Sequence, residues 1–544
     1  MVTARSAERR WAATALALLA CVALGCGGGS EQAVRLVVIS PHRDEIREEV
    51  ALGFQDWFAE RTGARLKQAS QALRAEPKHP DHAAVARLLA DWSPADLEAR
   101  GIAGPLRQWQ KQPDADTAAT LATALDAWQR DPDAARVRVA WQDIGGGTSQ
   151  IARYVRSSFE AQPDGIGIDL VFGGGTDIYL RFASQGLLQP VDLSHLTRGR
   201  IPPTLHGVPL YDEQGRWYGP VISSFGILSN REVLRRLGID EPPRTWSDLG
   251  RPELAGWVGA GDPRLTGSVH MVYEIILQGD GWEEGFRKLL RLGANAHSFI
   301  RDSGTLTRSV VTGDTATAGN IDVNALSAVG RNPEMMVFVL PVVEQRKNAE
   351  GKLVRNGGTV INADAIAMLK GAPRPGLARA FMEFTLSDAC QKLFLLLPGV
   401  PGGPRRFPLC RLSVVEALYR GFPPEQRSVG AANPFQQTDA LRYNSQLGQQ
   451  RWDALNDLIG AFIVDAQDEL SAAWHAILRS GLPAETIQRL SAELFEPPCT
   501  EAELAAHAKR IAQGDPHART MQVNDWSEQA RQRYRRIRAE TERR

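Results

Sequence analysis

The chain has 544 residues, and its 63 Lys and Arg residues balance its 63 Asp and Glu residues, so the formal net charge at pH 7 is zero. This balance excludes an overall electric field that would recruit nucleic acid, so no nucleic-acid partner is expected. Single hydrophobic cores stop growing at roughly 250 to 300 residues, and the length therefore predicts two or three domains.

The first thirty residues have the pattern of an export signal. Arg9-Arg10 precedes an apolar run over residues 11–24, and Gly25-Cys26 and more glycines follow it. A positive start, an apolar centre of roughly fifteen residues and a small residue before the cleavage point are typical of a secretory signal peptide. A membrane-spanning helix needs about twenty apolar residues, so the run predicts a signal peptide over residues 1–26.

The end of this segment resembles the bacterial lipobox, in which a cysteine is lipidated and becomes the new N-terminus. Cys26 is the expected lipidation site and Cys21 a competing one, while an ordinary secretion signal with incidental cysteines is the alternative. The resemblance implies an exported, periplasmic protein held at the membrane by a lipid anchor.

Three more cysteines, Cys390, Cys410 and Cys499, lie in the expected mature chain. An export compartment permits disulfides, so Cys390 could pair with Cys410, or all three could stay unpaired. No Cys/His pattern with zinc spacing is present, and neither a metal nor a cofactor is predicted.

The chain after residue 33 begins with a strand and a helix. A β-branched run over residues 34–39 predicts the strand, and apolar residues at helical spacing from Glu45 predict a helix that closes at Thr62-Gly63. The segment 66–136, which several prolines punctuate, predicts a helical insertion of three or four helices.

Two further units of strand, loop and helix follow this insertion. Strands are predicted over residues 137–141 and 168–172, and the glycine-rich loops 145–149 and 173–175 each precede a helix. This alternation predicts a mainly parallel α/β sheet with its loops at the carboxyl edge. Residues 34–65 and 137–222 are therefore assigned to a first lobe.

The remainder of the chain divides into three parts. A strand over residues 218–229 is predicted to cross into a second lobe over residues 223–345, and residues 346–430 return to the first lobe. Amphipathic patterns then predict a helical C-terminal region over residues 431–544.

Several segments occur in the order typical of one family. They are, in chain order, Ser40-Pro41-His42, Trp141-Gln142-Asp143-Ile144-Gly145-Gly146, the strand and loop to Thr176, Trp217-Tyr218-Gly219-Pro220, the stretch 262–268, Gly319-Asn320-Ile321-Asp322 and the stretch 363–373. In this order the chain resembles the extracellular solute-binding proteins of ABC importers, in the branch related to iron(III) binders. The resemblance implies a periplasmic-binding-protein type II fold with two hinged α/β lobes. It also implies a monomer that captures a small solute, delivers it to a membrane permease and is not an enzyme.

Loops at helix starts supply most of the candidate ligand contacts. A helix N-terminus offers unpaired N–H groups and a partial positive charge, so Ser, Thr and Gly there make anion sites, although they are also ordinary caps and turn residues. If the lobes face each other, five such loops converge, at Ser40, 148–149, 174–176, 266–268 and 303–305. The candidate ligand-binding residues are Ser40, His42, Thr148, Gly175, Thr176, Ser223, Ser224, Thr266, Gly267, Ser268 and Asp322.

The resemblance also bears on the cargo. Iron(III) binders of this kind usually hold the metal through two adjacent tyrosines, whereas the corresponding stretch here is Asn320-Ile321-Asp322-Val323-Asn324. Phenolates are hard anionic donors suited to a hard ion, and Val323 cannot replace one. We therefore expect an anionic solute such as a phosphorylated metabolite or carboxylate, with Asp322 at its cationic or hydroxyl end, and iron(III) as the alternative cargo.

The sequence also bears on two other classes of function, a hydrolase and a sensor. A secreted hydrolase would be expected to show a GxSxG elbow or an HExxH helix, and the chain has neither. A ligand sensor or scaffold that docks a receptor instead of a permease remains an alternative, because the insertion and the helical C-terminal region could serve as docking surfaces.

Overall fold

A computed structural model describes residues 34–79, 82–131, 136–347, 353–437, 440–514 and 516–543. The predicted signal peptide over residues 1–26, with the candidate lipidation sites Cys26 and Cys21, lies outside these residues. Within the described ranges, no helix combines the length and the apolar composition that crossing a membrane requires.

The centre of the fold is an eleven-stranded sheet with the order β2-β1-β3-β14-β7-β10-β8-β9, to which β4, β11 and β15 attach at the side. Two short hairpins, β5 with β6 and β12 with β13, stand apart from it. The strands are β1 Val34–Ile39, β2 Val137–Gln142, β3 Leu170–Phe172, β4 Leu188–Gln189, β5 Thr204–Leu205, β6 Val208–Pro209, β7 Tyr218–Asn230, β8 Val258–Gly261, β9 Ala296–Ile300, β10 Thr317–Ile321, β11 Met336–Val339, β12 Val343–Lys347, β13 Leu353–Gly357, β14 Ile361–Leu369 and β15 Leu412–Ser413.

Helices cover both halves of this sheet. They are α1 Asp44–Ala75, α2 Ala83–Leu89, α3 Pro94–Ala99, α4 Ala103–Lys111, α5 Ala115–Arg130, α6 Thr148–Ala161, α7 Thr176–Ser184, α8 Ser194–Thr197, α9 Arg231–Arg236, α10 Gly267–Asp280, α11 Trp282–Ala294, α12 Ser303–Thr312, α13 Asp322–Arg331, α14 Pro375–Leu386, α15 Asp388–Leu395, α16 Glu416–Gly421, α17 Ser445–Ile459, α18 Gln467–Arg479, α19 Ala484–Leu494, α20 Glu501–Ala512 and α21 Pro516–Glu542. The expected α/β fold with a helical C-terminal region is confirmed.

Parallel pairing defines the sheet of each lobe. In lobe 1, β1 runs parallel to β2 and β3, and each of these three strands leads into a helix at its carboxyl end. In lobe 2, β8 runs parallel to β9 and β10. Parallel strands followed by helices place the helix starts along one edge of each sheet.

The strand β7 belongs to both lobes. Its first half pairs with β14 through residues 218–224, and its second half pairs with β10 through residues 225–229. At the change of partner, the Thr359 hydroxyl accepts a hydrogen bond from the Phe225 N–H and donates one to the Phe225 carbonyl. All thirteen residues of β7 are buried, so the connection between the lobes is part of the core.

The helix α1 is longer than the sequence predicts. Its 32 residues continue past Thr62-Gly63, so the predicted end there is wrong. Leu66 and Leu73 extend the buried side of the helix. A helical glycine costs about 1 kcal/mol relative to alanine, whereas burying a leucine side chain contributes about 1.5–3 kcal/mol, so packing outweighs the glycine.

The four helices α2 to α5 pack onto lobe 1. Trp92 and Trp128 meet edge to face with ring centroids 5.1 Å apart, and Trp92 also contacts Phe58 of α1 at 5.4 Å. These rings belong to the same continuous apolar core as β1 and β3. The helices thus enlarge the core of lobe 1.

The C-terminal helices share the core of lobe 2. Leu455 of α17, Leu470 of α18 and Ile537 of α21 are fully buried together with Phe286 and Ile276 of lobe 2. A short π-helical turn, Gly460–Val464, joins α17 to α18.

The three cysteines in the described part of the chain, Cys390, Cys410 and Cys499, are free. The pairing of Cys390 with Cys410 is therefore wrong, and the alternative of unpaired thiols holds. Burial raises the pKa of the Cys390 and Cys410 thiols, which keeps both of them protonated.

Replacing Trp128 by Ala tests whether the inserted helices are part of the core of lobe 1. Because this ring is 4% exposed, we expect Trp128→Ala to lower the free energy of unfolding by about 3–5 kcal/mol, measured by urea titration followed by circular dichroism. The matched control is Trp257→Ala, since Trp257 is 37% exposed and should cost far less. Equal losses in the two variants would contradict the shared core.

Candidate functional site

A cavity of about 590 Å³ lies between the two lobes, at the edge where the helices begin. Lobe 1 contributes the starts of α1, α6 and α7 to its lining, and lobe 2 contributes the starts of α10 and α12. Ligand pockets typically measure about 300–1,000 Å³, so the cavity suits a small molecule.

Four of these helices begin at a residue whose own side chain does not cap the first turn, although in α7 the Thr176 N–H donates to Oδ1 of Asn362 at 3.4 Å. The N-cap residues Arg43, Gly147, Gly175 and Thr266 line the cavity, and none of them accepts a hydrogen bond from the first helical turn through its side chain. Where the N-cap side chain does not bond the first turn, the backbone N–H groups and the partial positive charge of the helix face the cavity. The arrangement is suited to an anion.

The starts of α6 and α10 meet across the cleft. A Cβ atom added at Gly147 would lie 3.0 Å from the Leu265 carbonyl oxygen, and one at Gly267 would lie 3.0 Å from the Cβ of Thr148. Ser149 also donates a hydrogen bond to the Pro263 carbonyl at 3.3 Å. Glycine at positions 147 and 267 therefore lets the two lobes approach closely at this point.

A buried ion pair forms another part of the wall. Arg411 is paired with Asp364, and both residues line the cavity. Asp364 also accepts hydrogen bonds from the Gly174 N–H and, at 2.9 Å, from Nε2 of His42. Burying an arginine in this way requires such a partner, because an unpaired charge in the interior is costly.

Four buried polar atoms of the cavity-lining residues have no hydrogen-bond partner among the described residues: Nε of Arg43, Arg47 and Arg411, and the hydroxyl of Ser223. Arg43 and Arg47 make ion pairs at distances of 3.0–3.8 Å, and Ser223 is 3% exposed. Buried polar groups are almost always hydrogen-bonded, so each of these groups calls for an explanation. Ser223 and Arg411 both line the cavity, although these two atoms themselves are buried.

The imidazole of His42 is neutral. Burial is the largest cause that lowers its pKa well below the usual value, and the charges of Arg411, Arg47 and Arg43 lower it further. A neutral ring with hydrogen on Nε2 donates to Asp364 and accepts the Ser40 hydroxyl at Nδ1, 3.0 Å away. His42 is therefore a fixed polar group at neutral pH.

Arg411 keeps its charge although burial lowers its pKa to about 10. Asp322 lies behind the cavity wall, where burial raises its pKa to about 6 against the opposing charge of Arg411. The Ser224 N–H donates to Asp322 at 2.6 Å and the Ser224 hydroxyl at 3.0 Å.

Carboxylates on the cavity lining are held by protein donors. Asp143 accepts from the Gly145 N–H and pairs with Arg47, and Asp302 caps α12 through the Thr305 N–H. Further contacts join Asp44 to Arg47 at 3.5 Å, Glu45 to Arg43 at 3.8 Å, and Glu45 to Arg331 at 3.3 Å.

The structure brings most of the sequence-predicted residues to the cavity. Those on its lining are His42, Thr148, Gly175, Ser223, Thr266, Gly267 and Ser268. Four others, Ser40, Thr176, Ser224 and Asp322, are buried behind it and bond to protein groups. Thr176, for example, donates to Oδ1 of Asn362 at 3.0 Å. The part that each of the eleven plays in binding a ligand stays a prediction.

Sequence reasoning missed several lining residues. Asp364 stands inside a segment that carried the family resemblance, but no role followed from that position. Arg411, Asn362 and Trp452 gave no local signal, because none of them starts a helix after a strand. Only their contacts in the fold identify them.

Direct metal coordination finds little support in the described residues. None of those lining the cavity is a tyrosine, and among the described residues there is no group of three or more His, Cys, Asp and Glu that could hold a metal ion. In the stretch 320–324, Asn320 instead donates a hydrogen bond to the Thr307 hydroxyl.

Comparison with known proteins agrees with this architecture. Over 79% of this chain and 99% of the other, the periplasmic binding protein P5PA superimposes with a TM-score of 0.51 at 17% sequence identity. The two proteins therefore share a two-lobed fold. Residues 166–396, less than half of the chain, match the model of the family described as bacterial extracellular solute-binding protein.

Two curated relatives share part of the sequence. An uncharacterised protein of Haemophilus influenzae is 29% identical over 239 residues, which are 43% of this chain and 62% of the relative. The phosphoglycerate transport regulatory protein PgtC of Salmonella typhimurium is 24% identical over 172 residues, which are 32% of this chain and 39% of the relative. The chain thus spans less than two thirds of the length of either relative.

The raised pKa of Asp322 predicts a pH-dependent stability. An unfolded aspartate has a pKa near 3.9, so the contribution of this group is fully present below about pH 4 and is lost as the pH rises through about 6. Relative to Asp322→Asn, we expect the wild type to lose about 2–3 kcal/mol of unfolding free energy between pH 4 and pH 7. Urea titrations of both proteins at several pH values measure this difference, and a constant difference would refute the assignment.

Proposed function

We propose that this chain is the substrate-binding component of an ABC importer, which captures a small anionic solute between its lobes and delivers it to a membrane permease. The observation that carries the proposal is that Ser223 and Arg411, each with a donor that has no described partner, line a cavity together with the starts of four helices. All of these groups donate hydrogen bonds, and the helix starts add positive potential.

A phosphorylated carboxylic acid of low mass is the solute class that we favour. Its phosphate would accept hydrogen bonds from the helix starts at Thr148 and Thr266, and its other acceptors would reach Ser223 and Arg411. The relative PgtC, named for phosphoglycerate transport, supports the same class. Iron(III) is a weaker candidate, because no tyrosine stands among the described lining residues.

Capture would operate through closure of the two lobes. Residues from both lobes line the cavity, so a solute that touches both stabilises the closed arrangement over an open one. Exclusion of water would then strengthen each hydrogen bond to the solute. We assign binding and transport rather than catalysis, in agreement with the family description.

We also propose that the protein acts outside the cytoplasm, anchored through lipid on Cys26. The family is described as extracellular, and the lipobox-like sequence at residues 23–26 supports the anchor.

Replacement of Ser223 tests the site. The side chain has no described partner, so Ser223→Ala removes a ligand contact without breaking a protein hydrogen bond. We expect binding of 3-phosphoglycerate to weaken by about 1.5–3 kcal/mol, the usual contribution of a hydrogen bond to a charged group, as measured by calorimetry.

Ser229→Ala is the matched control for this variant. Ser229 is buried on the same strand, but its hydroxyl bonds to that of Thr317 at 2.8 Å and does not line the cavity. Its affinity should equal that of the wild type. If neither phosphoglycerate nor inorganic phosphate stabilises the wild type against heat, the proposed solute class is wrong.

Cys26→Ser tests the anchor. Lipidation requires the thiol, so the variant should appear in the soluble fraction of cells, whereas the wild type should sediment with membranes. Mass spectrometry of the wild-type N-terminus should find a diacylglycerol-modified Cys26. A diacylglycerol group on Cys21 would show that Cys21 is the lipidation site, and an unmodified mature N-terminus would refute the lipid anchor.

A further inference from the structure

The helix α17 lies between the two lobes, although it belongs to the C-terminal helical region. Leu455 and Leu458 on one side are fully buried in the core of lobe 2. Trp452 is buried in a separate apolar cluster of lobe 1, which includes Ile151 of α6 and Ile178 of α7. A single helix thus has residues in the cores of both lobes.

Charged side chains tie α17 to both lobes as well. Asp453 pairs with Arg181 of α7 at 2.5 Å and lies 3.6 Å from Arg156 of α6, both in lobe 1. Arg451 pairs with Glu274 of α10 in lobe 2 at 3.0 Å, and both side chains are buried. Partly buried ion pairs are screened less by solvent than exposed ones, so these pairs hold more firmly than surface contacts do.

The residue Tyr443, just before α17, makes one more connection. Its hydroxyl donates to Asp177 of α7 at 2.5 Å, while its ring is buried in the core of lobe 2. This hydrogen bond adds to the ion pairs of Asp453 at the same helix of lobe 1.

Trp452 also reaches the solute cavity. It lines the cavity, and its Cη2 atom lies 3.6 Å from where a Cβ atom of Gly267 would stand, at the start of α10. Its ring also lies against His270 of the same helix, with the ring centroids 3.6 Å apart. The indole, which belongs to the apolar cluster of lobe 1, thus packs against the first turns of α10 in lobe 2.

From this geometry we infer that α17 is a strap that holds the lobes near their closed arrangement without solute, with Trp452 and Asp453 as positioning residues. The strand β7 joins the lobes through the core, and α17 links them again beside the cavity, in addition to the contacts of Ser149 with Pro263 and of Glu45 with Arg331. The inference rests on the proposed function only for its effect on solute affinity.

The strap predicts that the helix starts of the anion site are already in position before a solute binds. If the lobes open only when α17 detaches from lobe 1, the uncapped starts of α6 and α10 face each other before a solute arrives. Only molecules with closed lobes bind the solute well, so the apparent affinity falls by the same factor as the fraction of closed molecules. Releasing the strap therefore weakens binding without removing any hydrogen bond to the solute.

Small-angle X-ray scattering of the full chain without solute tests the strap directly. Asp453→Asn removes the pairs with Arg156 and Arg181, and we expect its radius of gyration to exceed that of the wild type. The double variant Arg156→Gln/Arg181→Gln breaks the same contacts from lobe 1 and should expand equally. Asp453→Glu, which keeps the charge, should restore the compact value.

Glu469→Gln is the matched control. Its carboxylate pairs with Arg531 and Arg535 inside the C-terminal region, and its side chain is 22% exposed against 17% for Asp453. The radius of gyration of this variant should not change. If Asp453→Asn and the double variant scatter like the wild type, or if the control expands as much as they do, the strap does not exist.

A second measurement separates this inference from the proposed function. Titration with inorganic phosphate should show weaker binding to Asp453→Asn than to the wild type, although Asp453 is not on the cavity lining. Expansion of the variant without phosphate binding by any of the proteins would support the strap and refute the anion site. If the variants stay compact and bind phosphate as strongly as the wild type does, the anion site is supported and the strap is refuted.

Discussion

The two lobes depend on one continuous strand, β7, which both sheets use as a member. Backbone hydrogen bonds to β14 on one half and to β10 on the other fix the register of each lobe against the same strand. The parallel strands of both lobes consequently lead into helices at a common cleft. The donors that face the cavity are for this reason largely backbone N–H groups, ordered by the sheets before any side chain contributes.

On the cavity lining, the buried charge of Arg411 is stabilised by the carboxylate of Asp364. Asp364 pairs with Arg411 and also accepts from His42 and Gly174, so both carboxylate oxygens are engaged, while the Nε of Arg411 has no partner among the described residues. Such a pair is nearly neutral overall and yet keeps the guanidinium on the cavity lining. The strap α17 contributes Trp452 to the same cavity lining, where its ring packs against His270 of α10.

Local patterns could predict the helix starts but not the direction of every side chain. Ser223 and Ser224 are neighbours on β7, and both were candidates. Successive side chains of a strand point to opposite faces, so Ser223 lines the cavity while Ser224 bonds to Asp322 behind it. Choosing between them requires knowing which face of the strand meets the cleft. The end of α1 was missed for a similar reason, since Gly63 is tolerated only because residues beyond it are buried.

By itself, the sequence determined the alternation of strands and helices, the glycine- and threonine-rich helix starts, and the helical character of the C-terminal region, because each of these is set by residues close together in the chain. Tertiary structure alone decided the pairing of His42 with Asp364, 322 residues away, and of Arg181 with Asp453, 272 residues away. Contacts at such separations depend on how the lobes pack. No spacing rule relates these residues, and only the folded chain brings them within reach.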